Sequence, residues 1–403
     1  MWLIDVSTHK LHEFQGAKLP KYTILSHTWG DEEVTFRDLE EHADEAKLKA
    51  GYDKIVRTCR RTRQDGYRWT WIDTCCIDKR SSAELSEAIN SMFQWYVNAE
   101  MCYVYLADVL DTGEVDTGEH VDFSFSRWFR RGWTLQELIA PKHILFFSSS
   151  WMVLGTKRAL ERDTGFLTRL SRITGIEVRL LQDPGHLRNY SIAQRMSWMA
   201  KRDTTRKEDL AYCLMGLFNV HMPILYGEGI LKAFTRLQLE IIRTTPDETI
   251  FAWRRGSSNH PFDDECGLLA RLPSDFGESA SIVRHTLPRL DALRNYSMTN
   301  IGLSMEAYLL TPPTEGTDNA VDSQDDYLVL PIGARLLDGT QTQGSSIGLI
   351  MVRVHQHQMT TRKTYQRVAY DRFYLVPDGQ LTLPTKRPEA IYVPEEGQYI
   401  MLM

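Results

Sequence analysis

The chain has 403 residues, of which 42% are hydrophobic and 25% are charged, and its formal net charge is −6. This composition is typical of a globular protein with two domains or one large composite domain, and it is unlike that of a disordered chain. The acidic balance argues against nucleic-acid binding, because phosphates need a basic protein face.

The six cysteines are thinly spread and form no CxxC pair. Neither a zinc ribbon nor a dense disulfide framework is therefore expected. The first residues lack the features of a signal peptide, and no apolar run approaches the roughly 20 residues that span a bilayer. We expect a reduced, cytoplasmic protein with no metal site and no membrane span.

Strands and helices alternate in the predicted elements of the first 150 residues. Strands are predicted at 22–27, from 68 onward, at 101–109 and at 142–148, and helices at 51–66 and after Ser81, which fits a capping box with Glu84. This alternation predicts an α/β fold with an open, largely parallel sheet.

Polar side chains are concentrated where these predicted strands end. The set comprises Ser26, His27 and Trp29 after the first strand, Asp73 and Cys75 after the second, and Asp108 after the third. Ligands of open α/β sheets bind beyond the carboxyl ends of the strands, so these residues are candidates for a site.

The rest of the chain changes character twice. The acidic stretch 111–122 has no apolar period and is expected to be a surface connection. The pattern from about 150 to 245 is helical. The segments that follow are typical of strands and are separated by polar breaks such as 311–326. The sequence thus predicts an α/β core at 1–150, a helical extension at 151–253 and a β-rich C-terminal module at 254–403.

The segment SRWFRRGWTLQELIAP, residues 126–141, contains one glutamate, Glu137, for which two interpretations compete. Thr134, three residues earlier, fits a capping box, which would make Glu137 a structural residue. A single helix from Ser126 to Ala140 fits the pattern better, because the cap would leave only about one turn of helix. That helix places Trp133 beside Glu137, and an indole neighbour partly desolvates a carboxylate, which raises its pKa and makes it a candidate for chemistry.

Other familiar chemistries lack their motifs. The sequence has no GxGxxG, GxxxxGK[ST], GxSxG or HExxH. Cys75 and His27 could form a thiolate–imidazole pair, although simple packing of the cysteine at a strand end explains it as well. A metal site at His27, Asp73 and Cys75 lacks the local ligand spacing of a zinc site.

Several long blocks resemble the fungal heterokaryon incompatibility (HET) domain. They are YTILSHTWGDEEVTFRDL (22–39), the block from GYDKIVRTC to VYLADV (51–109) and SRWFRRGWTLQELIAP; SIAQRMSWMAKRDTTRKEDLAYCLMGLFNVHMPILYGEG (191–229) and IFAW (250–253) resemble the sequence that usually follows. Together they cover roughly residues 20–253. HET proteins act in non-self recognition of filamentous fungi, where their activation leads to cell death.

The HET domain is in turn similar to TIR domains. The resemblance therefore implies a TIR-like (flavodoxin-like) open parallel sheet with an added helical segment, followed by the β-rich module. SRWFRRGWTLQEL resembles the TIR helix whose glutamate is catalytic in TIR enzymes that hydrolyse NAD, and that glutamate corresponds to Glu137. Trp128 and Trp133 both remain candidates for the tryptophan of this motif.

The resemblance also implies a function. Glu137 would stabilise an oxocarbenium-like ribose while the nicotinamide–ribose bond of NAD, or of a related nucleotide, is hydrolysed without a separate cofactor. The substrate-binding residues would be Ser26, His27, Trp29, Asp73, Cys75 and Trp133. Activation would form a homo-oligomer, and an upstream sensor protein could act in trans. The alternative is a non-enzymatic TIR-like adaptor that triggers cell death by assembly, and a thiol-dependent hydrolase using Cys75 is a third option.

Overall fold

The computed structural model describes residues 1–16, 19–110, 123–157, 164–255, 267–285, 296–300, 302–310, 327–337, 345–354, 363–367, 373–377 and 389–393. The predicted connections at 111–122 and 311–326 lie outside these residues. The chain divides into two compact units, one formed by Met1–Arg188 and Arg202–Gly227 and the other by Asn189–Lys201 and Glu228–Met403.

Seven described strands form the sheet of the first unit: β1 (Trp2–Asp5), β2 (Leu11–Glu13), β3 (Tyr22–His27), β4 (Trp69–Trp71), β5 (Met101–Tyr105), β6 (Ile144–Phe147) and β7 (Val153–Thr156). Their order is β2-β1-β4-β3-β5-β6-β7. The four central strands pair in parallel, whereas the pairs at both edges are antiparallel. The predicted α/β fold with a mostly parallel sheet is thus confirmed, although the antiparallel strands β1, β2 and β7 were not predicted.

Burial explains the central position of β3. All six of its residues are buried, and Ile24 and Leu25 have no exposed surface. A strand that is covered on both faces reads as a continuous run rather than an alternating one, and such strands lie in the middle of parallel sheets. The prediction of a buried strand at 22–27 is confirmed.

The described α-helices are α1 (Phe36–Glu41), α2 (Ala43–Ala46), α3 (Tyr52–Gln64), α4 (Ser82–Asn98), α5 (Thr134–Ile139), α6 (Thr164–Thr174), α7 (Val178–Gln182), α8 (Ile192–Ser197), α9 (Asp209–Tyr212), α10 (Met215–Phe218) and α11 (Ile230–Thr244). As predicted, α3 is amphipathic and buries Ile55 and Cys59. Ser81 caps α4 by accepting the Glu84 N–H, but the Glu84 carboxylate accepts the Asp78 N–H, so only half of the predicted capping box forms.

The segment at Ser126–Ala140 is not the single helix that we predicted. It forms a 3₁₀ turn at Arg127–Arg130, becomes extended at Arg131 and then enters α5. The Gly132 N–H donates to the Asp203 carbonyl oxygen at 2.8 Å, and the Asp203 N–H donates to the Arg130 carbonyl oxygen at 2.7 Å. These bonds to a distant strand-like segment replace the bonds that a continuous helix would make.

β3 and β5 are neighbours in the sheet, and the chain leaves them toward opposite sides. From β3 the chain passes through α1, α2 and α3 to β4 on one side, and from β5 it passes to β6 on the other. Such a reversal opens a crevice beyond the carboxyl ends of the two strands, where ligands of open α/β sheets bind. Ser26 and His27 end β3 at this edge, and Asp108 follows β5 there.

The second unit contains α8, α11 and the β-rich part of the chain. Its described strands are β8 (Ile282–Arg284), β9 (Tyr296–Thr299), β10 (Gly302–Ala307), β11 (Tyr327–Pro331), β12 (Ala334–Leu336), β13 (Ser345–Val354), β14 (Lys363–Arg367), β15 (Tyr374–Pro377) and β16 (Glu389–Val393). They form a sheet in the order β11-β13-β14-β16-β10-β9, with β15 on β13, and a separate pair of β12 with β8. The predicted β-rich C-terminal region is confirmed.

Candidate active site

Glu137 lies on α5 with only 7% of its surface exposed. The Ser26 hydroxyl donates a hydrogen bond to Glu137 Oε2, and Ser26 Oγ in turn accepts the indole N–H of Trp128 at 2.8 Å. The Tyr96 hydroxyl donates to the Leu25 carbonyl oxygen at 3.1 Å and lies beside the Glu137 carboxyl. These contacts fix the carboxyl against the end of β3.

Both interpretations of the segment that carries Glu137 were wrong in their local structure. Trp133 precedes the first residue of α5 and makes no side-chain cap. Thr134 Oγ1 donates to the carbonyl oxygens of Trp128 and Arg131, at 2.5 and 2.8 Å, so it does not act in a capping box. Glu137 instead makes a tertiary contact with Ser26, 111 positions earlier in the chain.

Burial dominates the protonation of Glu137. Removal from water raises its pKa from the ordinary 4.5 to about 8, and the negative charge of Asp73 acts in the same direction. The hydrogen bond from Ser26, the neighbouring Tyr96 hydroxyl and the charge of Arg131 oppose the rise without cancelling it. A carboxyl that titrates near neutral pH is typical of groups that take part in chemistry.

The raised pKa of Glu137 makes stability depend on pH. Between pH 4.5 and about 8 the folded chain keeps a proton that the unfolded chain releases, so the free energy of unfolding falls as the pH rises through this window. Glu137→Gln cannot ionise, and its stability relative to the wild type should therefore increase by roughly 4–5 kcal/mol across the window. Calorimetric unfolding of both proteins at several pH values measures this difference, and a difference that does not change with pH would contradict the raised pKa.

A second group of side chains, which we call the Asp73 group, consists of His27, Trp29, Lys54 and Asp73. Asp73 Oδ1 lies 3.0 Å from His27 Nε2, and Asp73 Oδ2 accepts the indole N–H of Trp29 at 2.8 Å. The Lys54 ammonium lies 2.8 Å from His27 Nδ1 and pairs with Glu33. Since an ammonium has no acceptor, Lys54 must donate to Nδ1, and Nε2 of His27 carries the proton that Asp73 accepts.

The carboxylate of Asp73 stays ionised although it is three-quarters buried. Burial by itself would raise its pKa, but the hydrogen bond from His27, the charge of Lys79 and the hydrogen bond from Trp29 together lower it below its ordinary value. Its negative charge in turn contributes to the raised pKa of Glu137. The pKa values of Glu137 and Asp73 are thus shifted in opposite directions. Glu137 can hold a proton at neutral pH, whereas Asp73 stays negatively charged.

The other two predicted binding residues lie elsewhere. Cys75 has no exposed surface, and its thiol lies 3.9 Å from the Ile72 carbonyl oxygen. A nucleophile needs access to its substrate, so this position offers no support for thiol chemistry. The Trp133 indole N–H donates to Asp209 at 3.1 Å, whereas Trp128 contacts Ser26. The structure therefore brings Trp128, rather than Trp133, to the carboxyl of Glu137 through Ser26.

Three contributors to this site were missed by sequence reasoning. Tyr96, Lys54 and Lys79 were not singled out from the sequence. The helical spacing of Tyr96 indicates burial, but no sequence pattern shows that its hydroxyl meets Glu137. Such contacts depend on which helix covers which strand end.

A buried lysine holds the carboxyl end of α5. The Lys157 ammonium donates to the carbonyl oxygens of Leu138, Ile139 and Pro141 at 2.8, 3.0 and 2.6 Å. These are carbonyl groups that the end of a helix leaves without intrahelical partners, and a cation there also suits the helix dipole. Burial lowers the pKa of Lys157 to about 7. Lys157 thus stabilises the carboxyl end of α5, and Ser26 holds the side chain of Glu137 in place.

A cavity of about 690 Å³ lies at the opposite edge of the sheet. Its lining includes Tyr22 at the start of β3, Glu100 just before β5, and Asn90 and Asn98 of α4. None of the predicted site residues is among its described lining residues. The size of this cavity therefore has no bearing on the chemistry of Glu137.

The described residues show neither a metal-binding cluster nor a membrane-spanning helix. Among them, no group of three or more His, Cys, Asp or Glu side chains is arranged to hold a metal ion. Within the same part of the chain, no helix has the length and apolar character needed to cross a membrane.

Comparisons with known proteins place this chain by sequence. The family model of heterokaryon incompatibility protein (HET) matches residues 22–121, which contain the Asp73 group and end before Glu137, and a domain of unknown function (DUF8212) matches residues 232–267. The vegetative incompatibility protein HET-E-1 of Podospora anserina is 46% identical over 234 residues, which are 57% of this chain and 17% of that protein. No solved structure matches. The resemblance to the HET domain is confirmed, since residues 22–121 match the HET family model.

Proposed function

We propose that this chain hydrolyses the nicotinamide–ribose bond of NAD through Glu137, as a cell-death effector of fungal non-self recognition. The observation that carries the proposal is the Glu137 carboxyl, which is buried, has a pKa raised to about 8 and lies at the carboxyl end of β3. The name of the similar Podospora anserina protein, a vegetative incompatibility protein, supports the biological role.

We also infer that the first unit is TIR-like. Its parallel strands lie in the order second, first, third and fourth along the chain, which is the order of flavodoxin-like sheets. The segment with Ser126, Trp128 and Glu137 lies between the third and fourth of these strands, β5 and β6. This position supports the correspondence between Glu137 and the catalytic glutamate of TIR enzymes.

In the proposed reaction the bond between ribose C1′ and the nicotinamide nitrogen breaks. Nicotinamide leaves with the bonding electrons as a neutral molecule, so no acid is needed to protonate it, and one carboxylate suffices. The ribose acquires oxocarbenium character, which the ionised Glu137 stabilises before water adds to C1′ and releases a proton. The hydrogen bond from Ser26 keeps the carboxyl in position for this role.

The raised pKa of Glu137 links substrate binding to activation. At neutral pH the free chain holds this carboxyl largely protonated. A bound pyridinium ring carries a positive charge, and an opposite charge nearby favours the ionised carboxylate. The substrate itself would therefore help to generate the group that cleaves it.

A second candidate function is the non-enzymatic TIR-like adaptor that triggers cell death by assembly. The 7% exposure of Glu137 favours it, because such a small surface gives a substrate little to contact in an isolated chain. The same observation suits an enzyme whose homo-oligomer completes the site. An upstream sensor that starts assembly in trans fits either function.

Nicotinamide release from NAD distinguishes the two functions. The full chain is assayed by chromatography, both alone and fused to a domain that enforces oligomerisation. We expect slow release from the isolated chain and faster release from the enforced oligomer. Absence of release in both forms would contradict NAD hydrolysis and support the adaptor.

A further inference from the structure

Two cationic side chains lie against Trp29 beside the proposed active site. The Lys79 ammonium lies 3.6 Å from the centre of a Trp29 ring, and Arg127 Nη2 lies 3.4 Å from the Trp29 carbonyl oxygen. Both cations belong to exposed residues. Among the described residues, neither of them forms an ion pair.

These cations are held by a defined framework. The Arg127 Nε–H donates to the Thr28 hydroxyl at 2.9 Å, and the Arg127 backbone N–H donates to Asp108 at 2.8 Å. Trp29, on which Lys79 rests, is fixed by its hydrogen bond to Asp73. Groups that are fixed before binding lose less conformational freedom when a ligand arrives, so this arrangement suits recognition.

The chemistry of the pair points to an anionic ligand. An arginine fork and an ammonium are the side chains that proteins use to bind phosphate oxygens. Because Lys79 covers one face of the Trp29 ring, stacking of a base on that face would require Lys79 to move. The two cations, rather than the ring, are thus the more available recognition groups here.

Hydrogen bonds connect the neighbours of both cations to the proposed site: Trp128, which follows Arg127, donates to Ser26, and Trp29, on which Lys79 lies, donates to Asp73. The charge of Asp73 acts on both Glu137 and Lys79, so the three side chains share one electrostatic environment. Glu137 is largely neutral at pH 7 in the free chain and adds little repulsion toward an incoming anion. An anionic group bound beside Trp29 would therefore bring the rest of its molecule toward the same edge of the sheet.

We propose that Lys79 and Arg127 bind the diphosphate of a dinucleotide, so that this site selects diphosphate-containing nucleotides over nucleosides. The inference rests on the proposed reaction of Glu137, because it assigns the part of the substrate that does not react. Affinity for the diphosphate would then position the ribose without contributing to bond cleavage itself.

Calorimetric titration of the full chain tests this assignment with two probes, ADP-ribose and adenosine. We expect the wild type to bind ADP-ribose at least about tenfold more tightly than adenosine, and Lys79→Gln and Arg127→Gln each to weaken ADP-ribose binding about 5- to 30-fold. Adenosine binding should stay unchanged. Arg130→Gln is the matched control, since it removes an exposed arginine from the same 3₁₀ turn, and it should change ADP-ribose affinity by less than about twofold.

Several outcomes overturn the assignment. They are the absence of ADP-ribose binding, or equal affinity for ADP-ribose and adenosine. Equal effects of Arg130→Gln and Arg127→Gln would also overturn it, because they would indicate only a general attraction between positive charge and the anionic probe. The proposed reaction fails separately: ADP-ribose binding that depends on both cations, with no nicotinamide release from NAD, would retain the diphosphate site and reject hydrolysis. NAD hydrolysis that neither Lys79→Gln nor Arg127→Gln changes would retain the proposed reaction and reject the diphosphate site.

Discussion

Glu137→Gln is expected to lower nicotinamide release from NAD by about 10²- to 10³-fold in the enforced oligomer. Glutamine keeps the volume of the side chain and can still accept the hydrogen bond from Ser26, but it cannot supply a negative charge to the oxocarbenium-like ribose. The loss should appear in kcat rather than in KM alone, because the charge of the ribose develops only in the transition state.

Glu100→Gln is the control for this substitution. Glu100 lies just before β5, at the opposite edge of the sheet, and pairs with Lys21 on the surface. Glu100→Gln makes the same exchange of carboxylate for amide as Glu137→Gln, and we expect it to leave the rate of nicotinamide release within about twofold of the wild type. Undiminished release by a folded Glu137→Gln protein would remove Glu137 from the reaction.

Trp128→Ala is expected to produce the largest loss of stability among the substitutions considered. Trp128 has no exposed surface, packs edge-to-face on Phe129 and Phe146 at ring distances of 5.0 and 5.8 Å, and donates to Ser26. Removing such a side chain costs about 3–5 kcal/mol. For a unit of this size the transition temperature should fall by roughly 6–20 °C, which scanning calorimetry measures.

Two further substitutions divide that effect into packing and hydrogen bonding. Trp128→Phe retains most of the packing but leaves Ser26 without its donor, and we expect a cost of about 1–3 kcal/mol. Trp29→Phe, at a side chain that is 46% exposed, should cost less than about 1 kcal/mol. A Trp128→Ala protein as stable as Trp29→Phe would show that the Trp128–Ser26 contact does not organise this site.

The parts of the fold that could be predicted are those with a strong local pattern. The run YTILSH forms β3 with the predicted bounds because every one of its residues is buried. The apolar face of GYDKIVRTCRRTRQDG and the hydroxyl of Ser81 likewise predicted α3 and the start of α4. In these segments the local preference and the tertiary environment agree.

The elements that were missed depend on distant partners. The break before α5 arises because Arg130 and Gly132 bond to the backbone of Asp203, more than 70 residues away. The strands β2 and β7 are short and largely exposed, and β1 has only four residues although three of them are buried, so none of the three presents the long apolar run of a central strand. A short stretch of sequence that contains only one of two contacting segments does not indicate that they pair.

The same reasoning applies to the site. The sequence placed Ser26, His27, Trp29 and Asp73 at strand ends, and the structure joins the last three through hydrogen bonds. The contact of Ser26 with Glu137 brings together residues from β3 and α5 and could not follow from spacing along the chain. The role of Glu137 as a reacting group remains a prediction of the family resemblance, now supported by its burial and its raised pKa.

The pH dependence of kcat/KM for nicotinamide release by the wild-type chain is the most direct test that Glu137 is the working group. Because kcat/KM reports ionisations of the free protein, it should rise about tenfold per pH unit below pH 8 and level off above it, as Glu137 loses its proton. A kcat/KM that stays constant or falls between about pH 6 and about pH 9 would contradict the assignment of the reaction to this carboxyl.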